Sequence, residues 1–295
     1  MANFVPASFN PVKGYWFTSF LLKTIESKIG CYDVTLDIGL TYRTICVHGG
    51  LITVDGNNIP INDVKPSEED RIVLVEEGSS SVYEVLMHTD VGFYKLKAIE
   101  IDKAPTIEIN GIHMHRISGT DPWSDTILKI RAARVKKGMR VLDTCMGLGY
   151  TSIISLNHGA REVYTFEIDP IVKWIAERNP WSHSLSDPRV KLITADVTRF
   201  VTSLPGNYFD RIIHDPPRFT KQTGYLYSYE FYLELNRVLR PGGVLFHYTG
   251  EPHKHGGPRI LKGVKERLEK AGFKIIKYDR KALGFVGFKP IWRVT

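Results

Sequence analysis

Two observations predict an α/β protein with a small mainly-β domain in front of it. From about residue 140, short apolar runs alternate with helix-compatible segments, the pattern of a parallel sheet with helices on both faces. Before about residue 110 the pattern changes to short β-branched runs broken by glycines, the pattern of an all-β module. The division is therefore placed at 1–110 and 111–295, and 43% apolar residues suffice for a core in each part.

In the first part, residues 32–38, 43–47, 51–54, 71–75, 81–87 and 92–99 read as strands, and Asp55-Gly56 is a hairpin signal. Residues 17–29 read as a short helix against a curved sheet or partial barrel. A structural cap, a dimer surface and substrate recruitment all remain open as its role. Linking strands follow at 107–109 and 113–117. Asp121-Pro122 then reads as a helix N-cap with proline in the first turn, and the helix runs to about residue 135. Its Lys129, Arg131, Arg134, Lys136 and Lys137 read as solvated residues that suit the helix dipole. Trp123 reads as a packing residue, with cofactor contact as the other possibility.

The organising stretch is 141–150, an apolar run to Asp143 followed by Gly147 and Gly149 and then a helix start. Glycine at such a turn removes the Cβ and lets backbone approach a nucleotide-like ligand. A second strand ends on Glu167, twenty residues beyond Gly147, the spacing of an acid that meets ribose hydroxyls. A third ends at Asp196, a fourth runs into Asp215-Pro216-Pro217, and a fifth opens after Leu239. A dinucleotide-binding domain would share the first part of this pattern but gives no reason for Asp-Pro-Pro after the fourth strand.

Over about residues 120–290 these elements resemble the class I S-adenosylmethionine-dependent methyltransferases. The resemblance implies a Rossmann-like sheet and S-adenosylmethionine as cofactor. It implies that Asp143, Cys145, Gly147 and Gly149 hold the methionine part, with Cys145 standing where many members have glycine. It gives Glu167 the ribose hydroxyls, Ile168 the adenine face, Asp196 the adenine amine, and Val197 a backbone N–H to the ring. Asp215, Pro216 and Pro217 would face the methyl group.

Asp215-Pro216-Pro217 also resembles the D/N-P-P-aromatic motif of methyltransferases that act on planar exocyclic amines. The residue types suit that chemistry. A carboxylate and a proline-constrained carbonyl accept the two N–H groups, so the nitrogen lone pair is exposed to an in-line methyl. Arg218 stands at the aromatic position, with Phe219 one step later, and either can stack on a base. The whole chain resembles archaeal predicted methyltransferases with this D-P-P-R domain. That implies RNA as partner, ribosomal RNA in particular, with N4 of cytosine as target and adenine N6 as a variant of the same chemistry. The rival enzyme class is a polyamine aminopropyltransferase-like enzyme acting on a small amine, against which the basic chain counts. A non-enzymatic RNA-binding scaffold would require loss of the cofactor contacts.

A formal charge of +7 favours an anionic partner. Tyr225, Tyr227 and Tyr229 beside Lys221 suit either a flipped nucleotide or loop packing. Lys262, Lys265, Arg267 and Lys270 mark the wet face of an amphipathic helix. Cys31, Cys46 and Cys145 show neither metal spacing nor a disulfide framework, and none stands near Asp215 to serve carbon methylation. His253 and His255 lack a third ligand and read as solvated or phosphate-facing, so no metal is expected. With no secretory pattern and no apolar run of ~20 residues, the expected setting is cytoplasmic, with no membrane partner.

Overall fold

The computed structural model describes residues 6–79, 81–250 and 257–291; His253 and His255 lie outside the described residues. Beside the division expected at 110, the contacts separate two compact units. One holds Phe9–Ser124 and Ile171–Ser186; the other holds Asp125–Pro170 and Asp187–Thr295, with the N-terminal residues to Ser8.

The first unit is mainly β, as the β-branched runs require. It contains β1 (Gly14–Thr18), α1 (Ser19–Ile25), β2 (Gly30–Val34), β3 (Arg43–His48), β4 (Leu51–Val54), β5 (Asn57–Pro60), β6 (Ile72–Glu76), β7 (Val82–Glu84), β8 (Leu86–Thr89), β9 (Gly92–Lys97), β10 (Thr106–Ile109) and β11 (Ile112–His113). Instead of one curved sheet they pair as three antiparallel sheets, β1-β6-β7, β2-β3-β4-β5 and β11-β10-β9-β8. The Asp55-Gly56 turn joins β4 to β5 with both residues at positive φ (50° and 80°), the type I′ geometry that matches strand twist. Thr18 caps α1 by accepting the Leu21 N–H, and Phe17, Leu21 and Ile25 pack with Ile45 and Ile52 in one core. Trp123 packs edge-on against Trp181, centroids 5.1 Å apart. Cys31 and Cys46 face each other across β2 and β3 and form a disulfide, which corrects the expectation of three free thiols. Their spacing carries no signature because only strand register makes them partners.

The second unit is built on a seven-stranded sheet: β12 (Arg140–Asp143), β13 (Glu162–Phe166), β14 (Val190–Ile193), β15 (Phe209–His214), β16 (Leu239–Tyr248), β17 (Lys274–Asp279) and β18 (Gly284–Phe288). The order is β14-β13-β12-β15-β16-β18-β17. The first five strands run parallel, and β18 is antiparallel to both its neighbours. Its helices are α2 (Pro122–Ala133), α3 (Tyr150–Asn157), α4 (Pro170–Glu177), α5 (Val197–Phe200), α6 (Tyr229–Val238) and α7 (Gly257–Lys270), where α2 and α4 begin or continue in the first unit. This is the expected Rossmann-like α/β architecture. Parallel strands need crossover helices on both faces, so every residue of β15 is buried, the polar Asp210, Arg211 and His214 included. Strand order reverses between β12 and β15, and such a switch point opens a crevice at the strand C-terminal ends. Asp143 and Asp215 both stand there.

The antiparallel β18 depends on glycine. A Cβ on Gly284 would lie 2.4 Å from the His247 carbonyl oxygen and 2.6 Å from the Phe246 ring, whereas one on Gly287 would lie 3.2 Å from the flexible Ile275 side chain. Gly284→Ala is therefore expected to lower the unfolding midpoint clearly more than Gly287→Ala in denaturant titration. Equal losses would show that β18 does not depend on this close approach.

Candidate active site

The turn after β12 is shaped by backbone conformation. Gly147 (φ 54°) and Gly149 (φ 76°, the N-cap of α3) both adopt left-handed geometry, which L side chains rarely tolerate. A Cβ on Gly147 would touch nothing within 4 Å, so the turn borders open space. Directly beneath it, Asp143 is fully buried. Its Oδ2 accepts from the hydroxyls of Thr151 (2.6 Å), Ser152 (2.8 Å) and Thr165 (3.0 Å). Its Oδ1 is buried with no donor among the described residues. An unsatisfied buried acceptor costs on the order of 1–3 kcal/mol, and burial pushes this carboxyl up to about 6. A ligand amine would supply the missing donor. The side chain of a sulfonium cofactor of the S-adenosylmethionine type ends in such an amine, so the residues present fit that group.

Glu167 follows β13. Its Oε2 accepts from the Gly147 N–H (3.1 Å) and its Oε1 from the Asp169 N–H (2.9 Å), so the acid and the glycine turn are brought together. Burial pushes its pKa up to about 7. Ile168 beside it is 58% exposed, an apolar side chain open to a ligand. Asp196 caps α5 by accepting from Thr198 N–H (2.9 Å) and hydroxyl (2.7 Å), while Val197 is buried in the core. Cys145 lies close enough to Glu167, Asp143 and Asp215 to feel their charge, and burial pushes its thiol well up, away from thiolate chemistry.

Asp215, at the end of β15, has a partner that sequence reading missed. Lys129 Nζ lies 2.7 Å from Asp215 Oδ2 and 3.1 Å from Asp125 Oδ2, and 4.1 Å from the centre of the Tyr248 ring. Lys129 is 1% exposed. It is therefore no solvated surface residue, unlike Arg131, Arg134, Lys136 and Lys137, which are exposed. A signal was available: Asp125, Thr126, Lys129, Ile130 and Ala133 recur at helical spacing, and all five are buried. The two carboxylates outweigh the desolvation of Lys129 and raise its pKa, whereas burial raises that of Asp215 against the pull of Lys129.

The loop after Asp215 is pinned from below. Tyr227 donates its hydroxyl to the Pro217 carbonyl (2.8 Å), and its ring meets Phe219 edge-on at 5.3 Å. His214 donates from Nε2 to the Leu226 carbonyl (3.0 Å), which leaves Nδ1 to accept the Thr144 hydroxyl (2.7 Å). His247 donates from Nδ1 to the Tyr248 carbonyl and accepts from the Tyr232 hydroxyl. Burial holds both imidazoles neutral, well below the usual histidine range. Pro216 is buried, while Pro217, Arg218 and Phe219 are exposed. Of the tyrosines after the motif, Tyr227 is thus a buried loop anchor and Tyr225 remains 45% exposed. Among the described residues no group of three or more His, Cys, Asp or Glu is placed to hold a metal, and no helix is long and apolar enough to cross a membrane.

Glu167 generates a pH prediction. Its proton is held to about pH 7 in the folded chain, against 4.5 ordinarily. Between those values the folded state binds more protons than the unfolded, so this group's contribution to stability falls as pH rises through that window. Glu167→Gln removes the titration, although its amide adds a constant cost by turning NH2 towards one N–H donor. The stability difference between variant and wild type is expected to move in favour of Gln by on the order of 2–3 kcal/mol from pH 4 to pH 8. A difference independent of pH in urea unfolding would contradict the burial of this carboxyl.

The family model for the Spermine/spermidine synthase domain matches residues 167–279, a stretch that includes Glu167, Asp196 and Asp215. Protein MJ1233 of Methanocaldococcus jannaschii, described as uncharacterized, is 46% identical over 224 residues, 76% of this chain and 75% of its own. Putrescine N-methyltransferase 4 of Nicotiana tabacum is 25% identical over 175 residues, and polyamine aminopropyltransferase 2 of Streptomyces coelicolor 31% over 171. The chain spans only 43% and 30% of the length of those two. Among solved structures, spermidine synthase from Thermotoga maritima has a TM-score of 0.54 at 19% identity, covering 72% of this chain and 75% of its own, a likeness of fold. These matches overturn the resemblance to ribosomal RNA cytosine-N4 methyltransferases, and with it RNA as partner and RNA modification as role. The rival reading, a polyamine aminopropyltransferase-like enzyme, takes its place. The error has a physical source: an acid followed by two prolines specifies an amine acceptor site without specifying a base, and net charge sums a whole surface while the crevice is acidic. Sharing nearly half its residues across three quarters of both chains, this protein belongs to the same family as MJ1233.

Proposed function

We propose that this protein transfers an alkyl group from a sulfonium cofactor, S-adenosylmethionine or its decarboxylated form, to an amine of a small polyamine-like substrate. The observation that carries this reading is Asp215: a part-buried carboxyl at the switch point, inside the stretch matched by the Spermine/spermidine synthase domain, with one oxygen held by Lys129. The bound cofactor supplies an electrophilic carbon next to its positive sulfur. Asp143 Oδ1 takes the amine end of that cofactor, and Gly147 and Gly149 leave room for it beside Cys145. Glu167 takes the ribose hydroxyls, Ile168 the adenine face, Asp196 the adenine amine and the Val197 N–H the ring.

Asp215 accepts an N–H of the incoming amine, directs the nitrogen lone pair at the carbon and takes the proton as the new C–N bond forms. The C–S bonding pair leaves with sulfur, which becomes a neutral thioether. Pro216 and Pro217 fix the backbone around this acceptor, and Arg218 and Phe219 flank the substrate's approach. The acids that follow or end the parallel strands, Asp143, Glu167, Asp196 and Asp215, suit a polycation despite the net charge of +7 on the whole chain.

The test is incubation with each of the two cofactors and a series of linear diamines and triamines, followed by mass spectrometry of the amine. A methylated product assigns the methyl donor, an aminopropylated one the decarboxylated donor, and no product from any pair rejects the reading. Asp215→Asn is expected to reduce turnover at least 100-fold, on the scale of lost acid–base catalysis, with cofactor affinity by calorimetry within a factor of about three.

A further inference from the structure

Asp215 has two oxygens with different surroundings. Oδ2 is held by Lys129, whereas Oδ1 has no donor among the described residues, and the side chain keeps 18% exposure. The lysine itself cannot swing away freely. Asp125, one helical turn earlier on α2, holds it from the other side, and the Tyr248 ring covers it. Three groups, from α2 and from the ends of β15 and β16, thus fix one ammonium, and that ammonium holds one carboxylate oxygen.

We infer that Lys129 is the positioning residue of the transfer: it locks Oδ2 of Asp215 so that Oδ1 alone is presented to the substrate amine. The inference rests on the proposed role of Asp215 as amine acceptor. A carboxylate held at one oxygen loses its rotational freedom about the Cβ–Cγ bond before substrate arrives, so its acceptor is pre-organised. The fixed positive charge also favours the ionised carboxylate, opposing the burial that raises its pKa. The amine proton passes to Oδ1, and Lys129 keeps its own three protons throughout.

The other groups around Asp215 do not replace this cation. The carboxyls of Asp125 on α2 and Asp143 at the end of β12 are acids and can only oppose ionisation of Asp215. Cys145 and Tyr227 are held protonated by burial, and Tyr248 faces Lys129. His214, its neighbour in the chain, is held neutral with both ring nitrogens engaged. Lys129 is the positive charge that the structure sets against Asp215.

The test compares Asp125→Asn with Asp125→Asn/Lys129→Met, so that no buried carboxylate is stranded on α2 when the lysine is removed. Two readouts are taken. One is the titration of the Asp215 carboxyl by carbon NMR on selectively labelled protein. The other is the pH profile of kcat with the amine and cofactor that the wild type accepts. Loss of the lysine is expected to raise the Asp215 midpoint and the acid limb of kcat by about 1–3 pH units, with cofactor affinity unchanged. An unmoved carboxyl midpoint overturns the inference, as does a shifted midpoint with an unchanged acid limb. Should the wild type turn over no amine, the proposed function fails. The carboxyl titration then decides the inference alone: a shift supports the lock, and none overturns it.

Discussion

A lysine ammonium sealed away from water, between two carboxylates and over an aromatic ring, is the contact on which the crevice of the second unit depends. Such an arrangement is no cheap source of stability, because desolvating three charges costs several kcal/mol per ion and Coulomb attraction only restores part of it. Its effect is spatial. It ties α2 to the end of β15 and sets the orientation of Asp215, and cutting the pair by removing one partner would strand a buried charge. The chain therefore holds a specific geometry where a hydrophobic contact would have left the side chains free to turn.

The rest of the crevice follows from the sheet. Parallel strands all deliver their C-terminal ends to one edge, so acids placed just after β12, β13, β14 and β15 converge without being near in sequence. Burial raises the pKa values of acids held in such a place, with neighbouring carboxylates adding to it, and pushes Asp143 up to about 6 and Glu167 up to about 7. Hydroxyls and backbone N–H groups offset part of the cost, but Asp143 Oδ1 has no donor among the described residues. A site with surplus buried acceptors is prepared for a ligand rich in donors, and both a cationic cofactor and an amine substrate have that character. In the chain segments next to it, Thr144 bonds the neutral His214 and Tyr232 the neutral His247, and the two imidazole rings meet edge-on.

The expectation of RNA rests on the resemblance of the Asp-Pro-Pro-Arg motif to base-modifying methyltransferases, with a positive net charge and aromatics interleaved with bases as support. None of these is specific to a nucleic-acid base in the crevice. Charge matters to a substrate within about 10 Å, the screening distance in ordinary salt, so a basic exterior says little about an acidic crevice. Tyr227 likewise faces the Pro217 carbonyl and belongs to the packing of the loop.

The sequence by itself determined what is local or periodic: the five parallel strands and their order along the chain, the acids that end them, the glycine turn after Asp143, the Asp121 cap that accepts the Ser124 N–H, and the Asp55-Gly56 hairpin. Each is set by backbone sterics or by a hydrophobic period within a dozen residues, so neighbouring residues suffice to predict it. Only the tertiary structure decided the burial of Lys129, the Cys31–Cys46 bond, the antiparallel β18 and the membership of residues 171–186 in the β-rich unit. These depend on which distant residues meet, and sequence spacing carries no record of that. Lys129 shows the difference most clearly, since its helix and position were legible at once. Its partner, 86 residues away, was not.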